Sequence, residues 1–455
     1  MLRRLLFSFL RSLLMTILVM AFIHIGYYHY YYHYHHHHFA EAKVVASKSI
    51  KSPIIADPNL KVELVARGLK SPTSMAFLGP NDILVLEKNN GTVQRVVNGV
   101  MLPKPLLDVN VANKNERGML GIAVARHPSN GSIYVFLSYT ETKVKGSDDC
   151  PKPSYCVPGH DPLGNRLYRY ELVNNKLVNP KLLLDLSAVP GPGHNGGRIL
   201  IGPDNNVYFT IGDVGHKGKA QNFIKGPDPD GTSGILRITQ DGKVVGNGIL
   251  GNKYPLNLYY AYGIRNSFGI DFDPVTGILW DTENGPDYAD EINLVYPGFN
   301  SGWRQLQGMW KSSNSITAGN IVLNPAGLMD FGGKGRYSPP EFIWVNTTGP
   351  TAIKFLNSDK LGKQYKNDMF VGDFHGASIY HFKLNKNRTD LMLNSSSSVL
   401  ADKIANTPQE TRDIIFGQGF GAITDIQVGP DGYLYVVSIS KGTIYRIVPI
   451  NTPSH

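Results

Sequence analysis

"RILIGPDNNVYFTIGD", residues 198–213, reads as an alternating run, a Gly-Pro-Asp-Asn-Asn corner, and a second alternating run. Alternation of period two marks a strand with one buried face, and Pro, Asp, Asn and Gly supply the dihedral angles of a tight corner. The unit therefore predicts a β-hairpin. It returns as "SMAFLGPNDILVLEKNNG" from Ser74, "LGIAVARHPSNGSIYVFLSY" from Leu120 and "FGIDFDPVTGILWDTENG" from Phe268. Two more copies are "TAIKFLNSDKLGKQYKNDMFVGDFHG" from Thr351 and "ITDIQVGPDGYLYVVSISKGTIYRIV" from Ile423. Further strand-like runs, such as "NRLYRYEL" and "GILRIT", follow most copies. Such a repeat predicts an all-β fold, a six-bladed β-propeller of four-stranded antiparallel blades over residues 60–450. "LKVELVARGL" near residue 60 is placed to close the ring against "TIYRIVPI" near the end. A β-sandwich is the alternative, but it gives no reason for six copies of one hairpin.

The bulk composition agrees. The chain has 455 residues, with 48 glycines, 29 prolines and 24 tyrosines against 4 tryptophans, a balance suited to short strands and tight turns. Its formal net charge is +9, yet lysine and arginine are scattered, so no nucleic-acid role is implied.

Residues 1–45 form a separate N-terminal segment and 46–59 a linker. "LLFSFLRSLLMTILVMAFIHIG" is a hydrophobic span of 22 residues, long enough to cross a bilayer, with Arg3, Arg4 and Arg11 on its amino side. The expectation is an extracytoplasmic protein, membrane-anchored by this helix. A cleaved signal peptide with an A-x-A site at Ala40 and Ala42 is the rival, making the protein secreted. The Tyr/His tract "YYHYYYHYHHHH" is either a loose metal binder or a spacer. Cys150 and Cys156 flank "PKPSY", and in an oxidising compartment they suit a short disulfide. Asn90, Asn130, Asn346, Asn387 and Asn394 each begin an N-x-S/T sequon, a possible glycan acceptor.

The repeat also gathers chemistry. If the corners lie on one face of the disc, residues just before each first strand and after each second strand meet on the other face. That rule places Glu87, Glu116, His194, Asp213, Arg265, Asn266, Glu283, Asn284, His375 and Thr424 around one mouth. A histidine in "GPGHNGG" is either a solvated loop residue or a base, and an arginine beside it either pairs with a carboxylate or holds an oxyanion. In "ENGPDYADEIN" the carboxylates Glu283, Asp287, Asp290 and Glu291 with turn carbonyls suit Ca²⁺, or are simply solvated acids.

These motifs together, with "HNGGRILIGPDNNVYFTIGD", "GIRNSFGIDF", "NSGW" and "ERGMLGIAVARHP", resemble the glucose/sorbosone dehydrogenase family from about residue 60 to 450. The likeness extends to hedgehog-interacting-type propellers. It implies oxidation of an aldose at its C1 hydroxyl, by hydride transfer to pyrroloquinoline quinone (PQQ) with Ca²⁺. Electrons would then pass to an extracytoplasmic acceptor. By the resemblance, His194 is the general base and Arg265 stabilises the quinone oxygen, while Glu116, Asn266, Asn284 and His375 line the cofactor. Gly285 and Pro286 would hold Ca²⁺ through carbonyls, with a further Ca²⁺ at Glu291 and a carbonyl of Ser301. Departures stand at Glu116 for a glutamine, His375 for a lysine, and Ala422 and Thr424 for an Arg-x-Arg; Arg412 lies ten residues before Ala422. The loss of cations leaves two other readings open: a non-catalytic glycan- or protein-binding propeller, and a Ca²⁺-dependent lactonase-type hydrolase using Glu87, Glu116 and Glu283.

Overall fold

Ile199–Ile201 pairs antiparallel with Val207–Ile211, Leu200 opposite Tyr208. The corner closes locally: Gly202 N–H donates to Asn206 O, and Asp204 Oδ1 accepts the Asn206 amide at 3.1 Å. Asn205 takes φ +60°, a left-handed conformation that asparagine tolerates better than most residues. The computed structural model describes residues 52–127, 129–143, 162–311, 325–393 and 399–452. The N-terminal anchor or signal segment, the Tyr/His tract, Cys150, Cys156 and Asn394 lie outside the described residues. Among the described residues no helix is long and apolar enough to cross a membrane.

All six copies of the hairpin begin a sheet of four or more strands, and the fold is an all-β propeller. The first strands are Pro72–Gly79, Met119–Arg126, Ile199–Ile201, Ser267–Phe272, Pro350–Phe355 and Ile423–Val428. Each sheet is tied to the next. Ser74 Oγ donates to Leu120 O at 2.8 Å, Ser138 Oγ to Gly197 O at 2.5 Å, and the Asp213 amide to Arg265 O at 2.9 Å. The Phe355 amide reaches Asp271 at 2.8 Å, Thr351 Oγ1 reaches Ile423 O at 2.6 Å, and Thr424 Oγ1 returns to Pro72 O at 3.0 Å. Leu60–Arg67 then pairs with Thr443–Pro449, so strands from the two ends of the described chain complete the sixth sheet.

The core follows from this arrangement. Period-two burial gives each sheet two apolar faces, and the hydrophobic layers lie between neighbouring sheets rather than on the axis. Phe136, Leu167, Ile199 and Phe209 fill one such layer; Trp280, Phe342, Ile353 and Phe382 fill another. Shortening Ile235, fully buried between the third and fourth sheets, to valine should cost about 1 kcal/mol, read as a lower denaturation midpoint.

Two expectations need correction. The sheets are not uniformly four-stranded and antiparallel: only two have four strands, and the third runs to six. Its extra strands, Phe299–Asn300 and Arg336–Tyr337, pair parallel, as does Ile404–Ala405 on the fourth sheet. They come from long connections that return along sheet edges and cover backbone groups otherwise left unpaired. The linker 46–59 also departs, because Ile54–Ile55 pairs with Ile415–Gln418 as the edge strand of the fifth sheet.

Polar contacts line the axis. Arg198, leading the third sheet, pairs at 2.6 Å with Asp425 of the sixth, and both are buried. Asp425 also accepts the Met75 amide at 2.8 Å. Third and sixth sheets oppose one another in the ring, so this pair crosses the centre at the start of the strand that follows His194.

Candidate active site

The strap "AVPGPGHNGG", residues 188–197, cannot pair as a strand because Pro190 and Pro192 lack an N–H. Side chains capture its carbonyls instead, one from outside the strap and one from within it. Arg117 Nη2 donates to Ala188 O, and Asn195 Nδ2 to Pro192 O, each at 2.6 Å. Within the strap His194 takes φ +61°, a conformation costing about 1–3 kcal/mol for a residue with a Cβ. Glu116 offsets that cost. Its Oε2 accepts the His194 amide at 2.5 Å, the Asn195 amide at 3.3 Å and Asn266 Nδ2 at 3.1 Å.

The imidazole is oriented by Asp213. His194 Nδ1 lies 2.6 Å from Asp213 Oδ1, which also accepts the Gly215 amide at 2.8 Å. Trp303 Nε1 donates to the other oxygen, Oδ2, at 2.7 Å. Burial by itself would raise the Asp213 pKa, but the hydrogen bonds and charge of His194, with the Gly215 amide and the Trp303 indole, hold it below the usual value. An ionised acceptor makes Nδ1 the donor, so in the neutral ring the lone pair is on Nε2. The His194 side chain is 25% exposed, so that nitrogen can meet a ligand.

Arg265 comes from the next sheet. A Cβ on Gly212 would stand 2.3 Å from His194 O and 2.6 Å from Arg265 O, so only glycine allows these three backbones to meet. The Arg265 guanidinium donates to Asn284 O at 2.8 Å and sits 5.4 Å from the Trp303 ring centre. Its amide donates to Glu283 Oε1 at 2.6 Å. Burial lowers the Arg265 pKa, against the opposing charges of Asp213, Glu116, Glu283 and Asp290. Four carboxylates thus face one guanidinium, and the mouth favours an added cation.

Below it lies a lattice of buried acids. Glu283 stands opposite Glu291, and Asp281 opposite Asn293, on adjacent strands. Ser301 Oγ lies 2.6 Å from Glu283 Oε2 and 3.4 Å from Glu291 Oε2. Glu291 Oε1 accepts Gln307 Nε2 at 2.9 Å and the Gly308 amide at 2.5 Å. Burial pushes the Glu283 pKa up to about 7, and burial with the charge of Glu283 lifts Asp281 and Glu291 well above the carboxylate range. Asn284 Oδ1 is buried without a hydrogen-bond partner, an acceptor suited to a hard cation. Among the described residues no three His, Cys, Asp or Glu side chains are grouped to hold a metal, so carbonyls would have to share in any Ca²⁺ shell.

The expected residues therefore divide. His194, Asp213, Arg265, Asn266, Glu116, Glu283 and Asn284 form one connected constellation. Asp290 shapes the turn at Gly285 and Pro286: its Oδ1 accepts the Gly285 amide at 2.8 Å, and its Oδ2 accepts the Thr348 and Gly349 amides. His375 is exposed on the rim, its amide bonded to Thr348 O. Glu87 is spent inside the first sheet on the Lys70 amide and Thr92. Thr424 carries the ring contact described above, and the Ala422 amide goes to Ser440 Oγ at 2.9 Å. Arg412 is exposed at the start of a short 3-10 turn. Sequence reasoning did not single out Trp303. The "NSGW" motif carried it, but nothing local shows that its indole reaches a residue 90 positions earlier.

Comparisons with known proteins agree with the fold. The glucose/sorbosone dehydrogenase family model matches residues 69–446. Aldose sugar dehydrogenase YliI of Escherichia coli is 26% identical over 403 residues, covering 87% of this chain and 95% of that protein. Quinoprotein glucose dehydrogenase B of Acinetobacter calcoaceticus is 28% identical over 59% of this chain and 57% of its own length. The PQQ-bound aldose sugar dehydrogenase of Streptomyces coelicolor shares the fold, with a TM-score of 0.59 at 22% identity over 87% of this chain and 99% of that one. The family-model match spans all six hairpins, and the chain belongs to the glucose/sorbosone dehydrogenase family.

Proposed function

We propose that the protein oxidises an aldose at its C1 hydroxyl, with PQQ as hydride acceptor and Ca²⁺ beside it. The observation that carries this reading is an imidazole held by a buried carboxylate at 2.6 Å, with a guanidinium 5.4 Å from the ring centre of the same tryptophan that fixes the carboxylate. His194 Nε2 takes the hydroxyl proton, and Asp213 stabilises the imidazolium that results. Arg265 holds positive charge where negative charge develops, pre-oriented by Asn284 O and the Trp303 face.

The residues fit the cofactor pair. Arg265, Asn266, Asn284, Glu116 and His375 would border PQQ. The carbonyls of Gly285 and Pro286, with the unpartnered Asn284 Oδ1, would suit Ca²⁺; buried Glu291 and a carbonyl of Ser301 are the second oxygen set that the family resemblance implies. When bound, PQQ supplies the hydride acceptor and Ca²⁺ polarises it. The cation also offsets the four carboxylates around Arg265, which would otherwise repel an anionic cofactor.

Export past a membrane, by anchor or signal segment, places the reaction where an extracytoplasmic acceptor takes the electrons. Asn90, Asn130, Asn346 and Asn387 are all exposed, as glycan acceptors must be. The test is an absorbance titration of the full chain with PQQ and Ca²⁺, followed by dye-linked oxidation across a panel of aldoses. Saturable binding and turnover are expected. Neither binding nor turnover would remove the proposal.

A further inference from the structure

Beyond the reaction itself, the strap that carries His194 is held by a second histidine. His216 lies after the Val207–Ile211 strand, and both of its ring nitrogens face acceptors. Nδ1 pairs with Asp230 Oδ2, and Nε2 lies 2.7 Å from Val189 O. A carboxylate and a carbonyl can only accept, so satisfying both requires a proton on each nitrogen, which is the imidazolium. We propose that His216 is a positioning residue: as an imidazolium it clamps the strap at Val189 and so holds His194 against Asp213.

The surroundings give the clamp its lever. The strap meets the chain around His216 at two further points: the Gly191 amide donates to Val214 O at 2.9 Å, and Pro190 packs on Gly215. Asp213, which orients His194, accepts through its backbone carbonyl the His216 amide at 2.7 Å. The charged groups facing the His216 ring are Asp230, from the segment before Gly234–Ile238, and Asp213. Thr232 Oγ1 is 3.5 Å from Nδ1, and it also donates to Asp230 Oδ1 at 2.6 Å. The strap brings only the Val189 carbonyl.

The Asp230 hydrogen bond raises the His216 pKa first, and burial opposes it without reversing it. A raised pKa means the clamp is complete below the ordinary histidine range and is lost as pH rises through the folded value. Above that value Val189 O loses its donor and the strap loosens.

The clamp rests on the dehydrogenase reading only for its effect on turnover, so its test separates the two. Hydrogen–deuterium exchange of peptides spanning residues 187–196 is measured against pH, as protection relative to the intrinsic rate. Wild-type protection should fall about tenfold as pH rises through the His216 titration, the scale of a lost charge-assisted bond. Asp230→Asn should bring that fall to lower pH, and His216→Gln should make protection independent of pH. Ring ¹⁵N NMR of the wild type should show His216 titrating above free histidine, with no variant needed. A midpoint at or below free histidine, or protection indifferent to His216→Gln and Asp230→Asn, would overturn the clamp. If the clamp is seen but no aldose is oxidised, the dehydrogenase reading fails alone. Where turnover exists, kcat should follow the same pH fall in wild type and lose it in His216→Gln.

Discussion

His194→Ala should lower kcat for aldose oxidation about 10³-fold, within the span that a positioned general base contributes. Cofactor binding should change far less, because Arg265, Asn284 and the carboxylate ring stay in place. The expectation rests on position: Nδ1 is committed to Asp213 at 2.6 Å, so Nε2 alone can accept the substrate proton. The pairing should also be robust to acid. Because Asp213 is held below the usual carboxylate range, its contribution is present above the unfolded value and is lost only as pH falls through the lowered one. Steady-state kinetics of the reconstituted variant, beside a PQQ titration, checks both halves. A variant that turns over near the wild-type rate would show that the proton leaves by another route.

The second large effect is on stability. Arg198→Met strands Asp425 in the centre of the ring, where it keeps only the Met75 amide and Gln427 of its present partners. Breaking one side of a buried ion pair costs about 3–5 kcal/mol, chiefly through the uncompensated charge left behind. Replacing both partners with apolar residues, as Arg198→Met with Asp425→Leu, should recover much of that loss. A denaturant double-mutant cycle measures the coupling directly. Near-zero coupling would mean that the pair does not tie the third sheet to the sixth.

The fold was legible because its signal is repetitive. Each hairpin announces itself through alternation and a Pro/Asp/Asn/Gly corner, and closure by residues 60–67 against 443–449 follows from that ring. The edge strands were not legible. Phe299–Asn300, Ile404–Ala405 and Ile54–Ile55 are each two residues long, too short for a period. The site was legible in part for the same reason. Topology alone gathered His194, Asp213 and Arg265, because the repeat fixes which residues lead each inner strand. It misplaced Glu87 and Thr424 because position at a strand end does not say whether a side chain faces the mouth or its own sheet. Trp303, His216 and Arg198 act across 90, 27 and 227 positions, and such contacts leave no local trace.

The most direct test mixes the PQQ- and Ca²⁺-loaded protein with excess aldose in a stopped-flow spectrometer and follows the cofactor spectrum in a single turnover. Rapid reduction in the wild type, slowed about 10³-fold in His194→Ala, is the predicted result. No spectral change in the loaded wild type, or equal rates in the two proteins, would contradict it.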